Sequence, residues 1–202
     1  MAAAPSRVVL ASSNAGKLRE FSELFAGRGF TLARQSDFGI EPPPETGSTF
    51  LENALIKARN AARISGLPAI ADDSGIEVDA LGGAPGVHSA RFAGEGASDE
   101  ANLDKLLGAL KGVDPPRRGA RYRCVIVYVA SAGDESPLIG EGCWEGSIIA
   151  GRRGTGGFGY DPSFVPAGDT RTVAEIPAQE KNLKSHRAQA LGAFLARFPR
   201  GR

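Results

Sequence analysis

Two adjacent carboxylates, Asp72 and Asp73, directly follow a short apolar run in this chain. The run at residues 68–71 is typical of the end of a buried strand, and Ser74 and Gly75 are typical of a turn. Neighbouring strand residues point to opposite faces, so the two carboxylates are expected to have different roles. A carboxylate at the end of a strand is suited to metal and phosphate chemistry in α/β proteins. A solvated turn is the alternative interpretation of the same residues.

The loop at residues 12–17 gathers small polar groups and a lysine directly before a predicted helix. Hydroxyl, amide and backbone N–H groups at a helix N-terminus favour an anion. The loop is not a Walker motif, because Ala11 stands at the position of its first glycine and Leu18 replaces its Ser or Thr. A helix cap with a solvated Lys17 would explain the same residues, so both interpretations remain open.

Two later loops also carry groups that can bind a ligand. The loop at residues 152–162 combines arginines and glycines with the rings of Phe158 and Tyr160 and the carboxylate of Asp161. Glycines let the backbone approach a ligand closely, and ordering them costs entropy, so a binding role is favoured. The charged run at residues 180–187 begins the last predicted helix, where a solvated helix face is the alternative.

Composition excludes several classes of protein. Among 202 residues, Lys and Arg total 24 and Asp and Glu total 23, so net charge predicts neither a nucleic-acid polymer nor a membrane as partner. No apolar run is long enough to span a membrane, and the N-terminus lacks the pattern of a signal peptide, so a cytoplasmic location is expected. Two cysteines without C-x-x-C spacing argue against a disulfide or a zinc site.

The remaining pattern indicates an α/β fold, a mixed sheet flanked by helices with two lobes around a cleft. Residues 7–198 are expected to form one domain, with a disordered N-terminus at residues 1–6 and a tail at residues 199–202. Thr49 and Glu52 predict a capping box, and Ser98 a second helix start. The other predicted elements are a strand at 7–11, a helix from residue 17, a helix from 49 to about 64, a short strand at 76–78, an antiparallel hairpin of strands 122–130 and 138–149, and a final helix over 181–198.

Taken in order, these segments resemble one family, the inosine triphosphate pyrophosphatases, which hydrolyse non-standard purine nucleoside triphosphates. The resemblance runs from about residue 7 to residue 198. Its blocks are Val9–Lys17, Glu45–Ala54, Ala69–Gly75 with Gly82–Arg91, and Gly154–Pro162 with Ser185–Arg187. Ser12 is a mild departure, since the family commonly has Thr there.

The resemblance implies attack of water on the α-phosphorus of ITP, dITP or XTP, which releases a monophosphate and pyrophosphate. It implies Mg²⁺ as cofactor, held by Glu45 and Asp73, with Asp73 also orienting or deprotonating the attacking water, and it implies a nucleotide-binding cleft between the two lobes. Asp72 is assigned either to the turn or to a position that supports the metal ligands from behind. Arg152 and Arg153 are possible electrostatic helpers. A homodimer is what the family suggests. The implied substrate-binding residues are Ser12, Ser13, Asn14, Ala15, Gly16, Lys17, Ser74, Phe158, Gly159, Tyr160, Asp161, Lys181, His186 and Arg187.

Three other functions are alternatives. A Maf-like pyrophosphatase for modified pyrimidine or methylated guanine nucleotides would open with an S-x-S-P-R-R type of loop, which residues 12–17 do not match. A non-catalytic nucleotide sensor would not need Glu45, Asp73 and Lys17 together. A nucleic-acid-binding protein would carry a basic stripe, which the near-neutral charge does not favour.

Overall fold

The strands form one mixed sheet, as the sequence predicted. The structure is a computed structural model that describes residues 7–12, 21 and 30–198. Its six described strands lie in the order β2-β1-β3-β4-β5-β6. Strand β1 pairs in parallel with β2 and β3, whereas β5 pairs antiparallel with β6. The bounds are β1 Arg7–Leu10, β2 Thr31–Arg34, β3 Ala69–Val78, β4 Gly119–Val129, β5 Leu138–Ile148 and β6 Phe164–Pro166.

Both predicted helix caps are present. The Thr49 side chain accepts a hydrogen bond from the backbone N–H of Glu52, and the Ser98 side chain accepts one from that of Ala101. The Glu52 carboxylate accepts hydrogen bonds from the backbone N–H and the hydroxyl of Ser48, at 2.6 and 2.8 Å. The described α-helices are α1 Phe50–Ser65, α2 Asp99–Ala109, α3 Ala178–Lys184 and α4 His186–Arg197. Short 3₁₀ turns are found at Gln35–Phe38, Asp79–Leu81, Gly86–Arg91, Pro115–Arg117, Asp161–Ser163 and Val173–Glu175.

The predicted final helix over residues 181–198 is wrong as a single element. Ser185 has extended backbone, with φ −61° and ψ 157°, and it separates α3 from α4. Its hydroxyl accepts a hydrogen bond from the backbone N–H of Ala188, at 3.2 Å. Serine prefers such a position because its side chain satisfies an N–H group that the helix leaves open. A new helix therefore begins at His186.

The predicted turn after Asp73 is also wrong. Strand β3 runs without interruption from Ala69 to Val78, and Asp72 and Asp73 are only 2% and 7% exposed. The short strand predicted at residues 76–78 is the second half of β3. Apolar residues on both sides of the acidic pair keep the strand buried. The ammonium group of Lys57 in α1 pairs with Asp73, which offsets the cost of removing that carboxylate from water.

The chain divides into two compact units, and the division falls within β3, β4, β5 and α4. In the first unit, the core contains fully buried residues of β1, β3 and α1. Helix α1 packs against β1, and its buried face consists mainly of alanines. In the second unit, β3 and β4 contribute to a cluster built around Leu106, Trp144 and Phe164. The first unit comprises Met1–Asp73, Val125–Gly140 and Leu191–Arg202, and the second Ser74–Cys124 and Glu141–Ala190.

Several predicted features fall outside the described residues. These are the N-terminus at residues 1–6, the tail at residues 199–202, and the helix from residue 17 except for Phe21, which is buried. Within residues 7–12, 21 and 30–198, no helix has the length and apolar character that crossing a membrane requires.

Gly142 in β5 lets the first turn of α4 approach closely. A Cβ atom at this position would meet the carbonyl oxygen of His186 and, at 2.5 Å, the backbone nitrogen of Ala190. We expect Gly142→Ala to lower the free energy of unfolding by about 1–3 kcal/mol, because backbone cannot move aside as a flexible side chain can. Denaturant unfolding followed by circular dichroism measures this change.

The matched control is Gly133→Ala, because Gly133 lies in an exposed turn and a Cβ atom there would have no neighbouring atom within 4 Å. We expect its unfolding midpoint to stay close to that of the unsubstituted protein. Equal midpoints for the two variants would contradict the close approach at Gly142.

Candidate active site

In the first unit, Glu45 and Asp73 both form salt bridges with the ammonium group of Lys57. The Nζ atom of Lys57 lies 2.9 Å from Oε1 of Glu45 and 2.8 Å from Oδ1 of Asp73. The side chains of Lys57 and Asp73 are 13% and 9% exposed, so water screens this pair only weakly. We call these three residues the carboxylate–lysine cluster.

Three elements of the first unit position this cluster. Asp73 lies in the buried strand β3, Lys57 in the middle of α1, and Glu45 in the Pro-rich connector that precedes α1. The connector is tied to the helix by a hydrogen bond from the backbone N–H of Gly47 to Oδ1 of Asn53, at 2.8 Å. The fixed connector therefore brings the Glu45 carboxylate to Lys57.

Lys57 is expected to stay charged at neutral pH. Burial by itself would lower the pKa of Lys57, but the charges of Asp73, Asp72 and Glu45 together raise that pKa above its usual value. Asp72, the neighbour of Asp73 on β3, thus contributes to the field at Lys57. The cluster is an ammonium surrounded by negative charge.

Two hard oxygen donors of this kind suit a magnesium ion. Mg²⁺ prefers oxygen ligands, keeps several of its waters, and is commonly held by one or two carboxylates with substrate phosphates. Glu45 and Asp73, the two ligands predicted from the sequence, are brought together at Lys57. Larger groups of three or more His, Cys, Asp or Glu side chains arranged for a metal are not found in the described part of the chain.

The predicted phosphate loop is described only at its beginning. Ser12 follows β1 by two residues and is partly buried. In the parallel register, Leu10 of β1 lies opposite Ile70, which precedes Asp72 by two residues. The predictions for Ser13, Asn14, Ala15, Gly16 and Lys17 lie outside the described residues.

In the second unit, the carboxylate of Asp161 joins several of the predicted binding residues. Oδ2 accepts hydrogen bonds from Nζ of Lys181 at 2.6 Å and from the backbone N–H of Phe158 at 3.0 Å. Oδ1 accepts a hydrogen bond from the hydroxyl of Tyr122 at 3.0 Å. Asp161 is 3% exposed, so these bonds form away from water. Its predicted contact with the base stays a prediction, whereas the contacts present here hold the loop.

Phe158 presents its ring to solvent beside this buried carboxylate. The ring is 57% exposed, and Nζ of Lys181 lies 4.6 Å from the ring centroid. Gly157, with φ +73°, lets the loop turn, and a Cβ there would collide with the Asp161 carboxylate. An exposed aromatic ring held by a rigid loop is suited to stacking on a planar ligand.

Tyr160 and Gly159 anchor the same loop. The hydroxyl of Tyr160 donates to the carbonyl of Ser89 at 2.7 Å, and the backbone N–H of Gly159 donates to Asp99 at 2.9 Å. Burial and the charge of Asp99 raise the pKa of Tyr160 far above its usual value, so the phenol stays protonated. Both residues therefore support the loop that carries Phe158.

His186 and Arg187 begin α4 and are almost entirely buried, at 6% and 5% exposure. The His186 ring stacks on Tyr122, with centroids 4.7 Å apart and an interplanar angle of 11°. Arg187 donates a long hydrogen bond, 3.4 Å, to the hydroxyl of Ser74. The structure thus brings together, within the second unit, predicted residues from β3, the glycine-rich loop and α4.

Sequence reasoning missed two residues of these clusters. Lys57 shares the face of α1 that carries the buried Ala54, Ala58 and Ala61, and a lysine on an apolar helix face is a signal of a buried ion pair. Tyr122 lies in β4, where its ring looked like ordinary core. No sequence signal pointed to its hydroxyl.

Arg152 and Arg153 have partners within the second unit. Arg152 forms salt bridges with Asp104 and Glu100 of α2. Arg153 donates to the carbonyl of Thr170 at 2.6 Å and lies 3.6 Å from Glu175. Their charges are therefore matched by neighbouring carboxylates, and both arginines fasten the beginning of the glycine-rich loop.

Comparisons with known proteins identify the family of this chain. Residues 8–197 match the Ham1 family. A dITP/XTP pyrophosphatase of Methylococcus capsulatus is 59% identical over 192 residues, which cover 95% of this chain and 96% of that protein. One of Thioalkalivibrio sulfidiphilus is 58% identical over 192 residues, covering 95% of this chain and 98% of that protein. A solved HAM1 protein from Coxiella burnetii, 48% identical, superimposes with a TM-score of 0.89 and covers 92% of this chain and 94% of its own. With a match of this length and identity, the chain belongs to the Ham1 family.

Proposed function

We propose that this protein hydrolyses dITP, XTP and ITP to the corresponding monophosphate and pyrophosphate, and so removes non-standard purines from the nucleotide pool. The observation that carries the proposal is the contact of both Glu45 and Asp73 with Lys57, where carboxylates suited to a divalent cation lie beside a positive charge. It is supported by relatives with 59% and 58% identity that are named dITP/XTP pyrophosphatases.

The carboxylate–lysine cluster has the chemistry that phosphoryl hydrolysis needs. A triphosphate carries several negative charges at neutral pH, so its reaction requires cations at the phosphates. Mg²⁺, held by Glu45 and Asp73, would neutralise phosphate charge and lower the pKa of a water molecule. Asp73 would orient that water or accept its proton, while Lys57 keeps positive charge beside both carboxylates.

Residues of the second unit have the chemistry that a purine base needs. Phe158 offers a ring for stacking, and His186 and Arg187 offer N–H donors. Hypoxanthine and xanthine carry a 6-oxo group, where adenine carries an amino group. Donors directed at an oxo group would leave an adenine amine unmatched, which can discriminate by orders of magnitude.

Three finer points stay proposals. Ser12, Ser13, Asn14 and Lys17 are proposed to hold the phosphates, by resemblance to the family motif. A homodimer and a cytoplasmic location are likewise expected from the resemblance and composition. Sedimentation analysis would test the first of these two.

The proposed reaction is tested by pyrophosphate release from dITP, XTP, ITP, GTP, ATP, dTTP and UTP, with and without Mg²⁺. We expect release to be confined largely to the first three substrates and to be lost when EDTA removes the metal. Release from dTTP or UTP alone would indicate the Maf-like function, and tight ITP binding without release would indicate a sensor.

Asp73→Asn tests the role of the carboxylate in the reaction. The amide keeps the size of the side chain but cannot accept a proton from water, so we expect kcat for dITP to fall by about 10²–10⁴-fold. The KM should change much less, because the base and phosphates keep their other contacts. Steady-state kinetics at saturating Mg²⁺ measure both parameters.

The matched control for this variant is Asp114→Asn, because Asp114 lies on the surface before the short turn Pro115–Arg117. Its kinetics should match those of the unsubstituted protein. Turnover of Asp73→Asn at the control rate would remove Asp73 from the mechanism.

Arg187→Ala tests base recognition. Loss of the guanidinium removes donors for a 6-oxo group, so we expect the ratio of kcat/KM for dITP to that for dATP to fall roughly tenfold or more. Arg197→Ala, in the last turn of the same helix, is the control because Arg197 is exposed and donates to the carbonyl of Ile139 in the first unit. An unchanged ratio in Arg187→Ala would count against the assignment.

A further inference from the structure

We propose that Tyr122 is a positioning residue that sets base recognition through two other side chains, an inference that rests on the proposed function. Tyr122 lies in β4, and its side chain contacts both Asp161, through the hydroxyl, and His186, through the ring. These two residues come from separate segments, the glycine-rich loop and the start of α4.

The hydroxyl of Tyr122 fixes one oxygen of a buried carboxylate. It donates a hydrogen bond to Oδ1 of Asp161 at 3.0 Å, while Oδ2 accepts hydrogen bonds from Nζ of Lys181 and from the backbone N–H of Phe158. Burial and the negative charge of Asp161 raise the pKa of Tyr122 well above its usual value, so the hydroxyl keeps its proton. With Oδ1 held from the sheet, the carboxylate cannot rotate, and Lys181 and Phe158 keep their places.

The ring of Tyr122 supports a second recognition residue. It stacks almost parallel on His186, with centroids 4.7 Å apart. The Tyr122 ring also forms an edge-to-face contact with Phe164, with ring centroids 4.7 Å apart. Phe164 forms a similar contact with Trp144, with ring centroids 6.1 Å apart. Aromatic contacts on two sides restrict the orientation of the ring, and the imidazole stacked on it is held in a nearly parallel plane.

One rigid strand residue thus orients both the loop that carries Phe158 and the imidazole that begins α4. A residue that only filled the core would affect stability and leave substrate preference unchanged. A positioning residue should affect the binding of the base, because small displacements of the donors weaken their hydrogen bonds. The base is remote from the reacting phosphorus, so the effect should appear in KM more than in kcat.

The decisive experiment compares Tyr122→Phe and Tyr122→Leu with the unsubstituted protein, using dITP and dATP as substrates. Tyr122→Phe removes the hydroxyl alone, so we expect KM for dITP to rise about 3- to 10-fold with kcat nearly unchanged. Tyr122→Leu also removes the stack on His186, so its KM should rise further and its preference for dITP over dATP should fall.

Tyr128→Phe is the matched control. Tyr128 lies in the same strand, and its ring forms an edge-to-face contact with Phe198 of the first unit, with ring centroids 5.1 Å apart. The same chemical change at Tyr128 should leave KM, kcat and the dITP preference unaltered. If the two Tyr122 variants keep the KM and preference of the unsubstituted protein, or lose stability and kcat together at constant KM, the positioning role is overturned.

A spectroscopic measurement tests the stack independently of turnover. The chain has 2 histidines, His88 and His186, so their imidazole NMR signals are readily assigned. Stacking on Tyr122 should shift the ring protons of His186 upfield, and this shift should persist in Tyr122→Phe and disappear in Tyr122→Leu. An unshifted His186 in the unsubstituted protein would overturn the proposed support.

The two proposals fail in different ways. If the unsubstituted protein releases no pyrophosphate from dITP, the proposed function fails, and the inference about base recognition fails with it. If the unsubstituted protein is active and both Tyr122 variants match it, the role of Tyr122 alone is rejected.

Discussion

A charged group removed from water requires an opposite charge beside it, and Lys57 is where this requirement shapes the first unit. Its ammonium is nearly buried on the apolar face of α1, so Glu45 and Asp73 must both approach it. The connector before α1 and the strand β3 are consequently brought to the same point. A pair of carboxylates that would otherwise repel each other is held together by the lysine.

In the second unit the buried charge is negative: the carboxylate of Asp161, which is likewise paired with an opposite charge, Lys181. Asp161 accepts hydrogen bonds from the ammonium of Lys181, the backbone N–H of Phe158 and the hydroxyl of Tyr122, and each donor comes from a different element. A glycine at position 157 is needed because any side chain there would collide with the carboxylate. The glycine-rich loop is therefore ordered around a charge, which explains how a segment with high conformational entropy can present Phe158 rigidly.

Local signals in the sequence predicted local structure well. Thr49 and Ser98 begin helices because a side chain can cap only the N–H groups next to it, and that depends on neighbouring residues alone. Asp72, Asp73 and Ser185 were interpreted less well. Whether an acidic pair interrupts a strand depends on a lysine 16 positions away from Asp73, and no local pattern contains that partner.

By itself, the sequence determined the class of fold, the family resemblance, and the set of Glu45, Asp73, the glycine-rich loop and the start of the last helix as candidate site residues. Only the tertiary structure decided how these residues are used. It placed Lys57 between two carboxylates and Tyr122 against both Asp161 and His186. The physical reason is that ion pairs, hydrogen bonds and ring stacking act over a few ångströms in space, whereas their partners are separated by 12 or more residues along the chain.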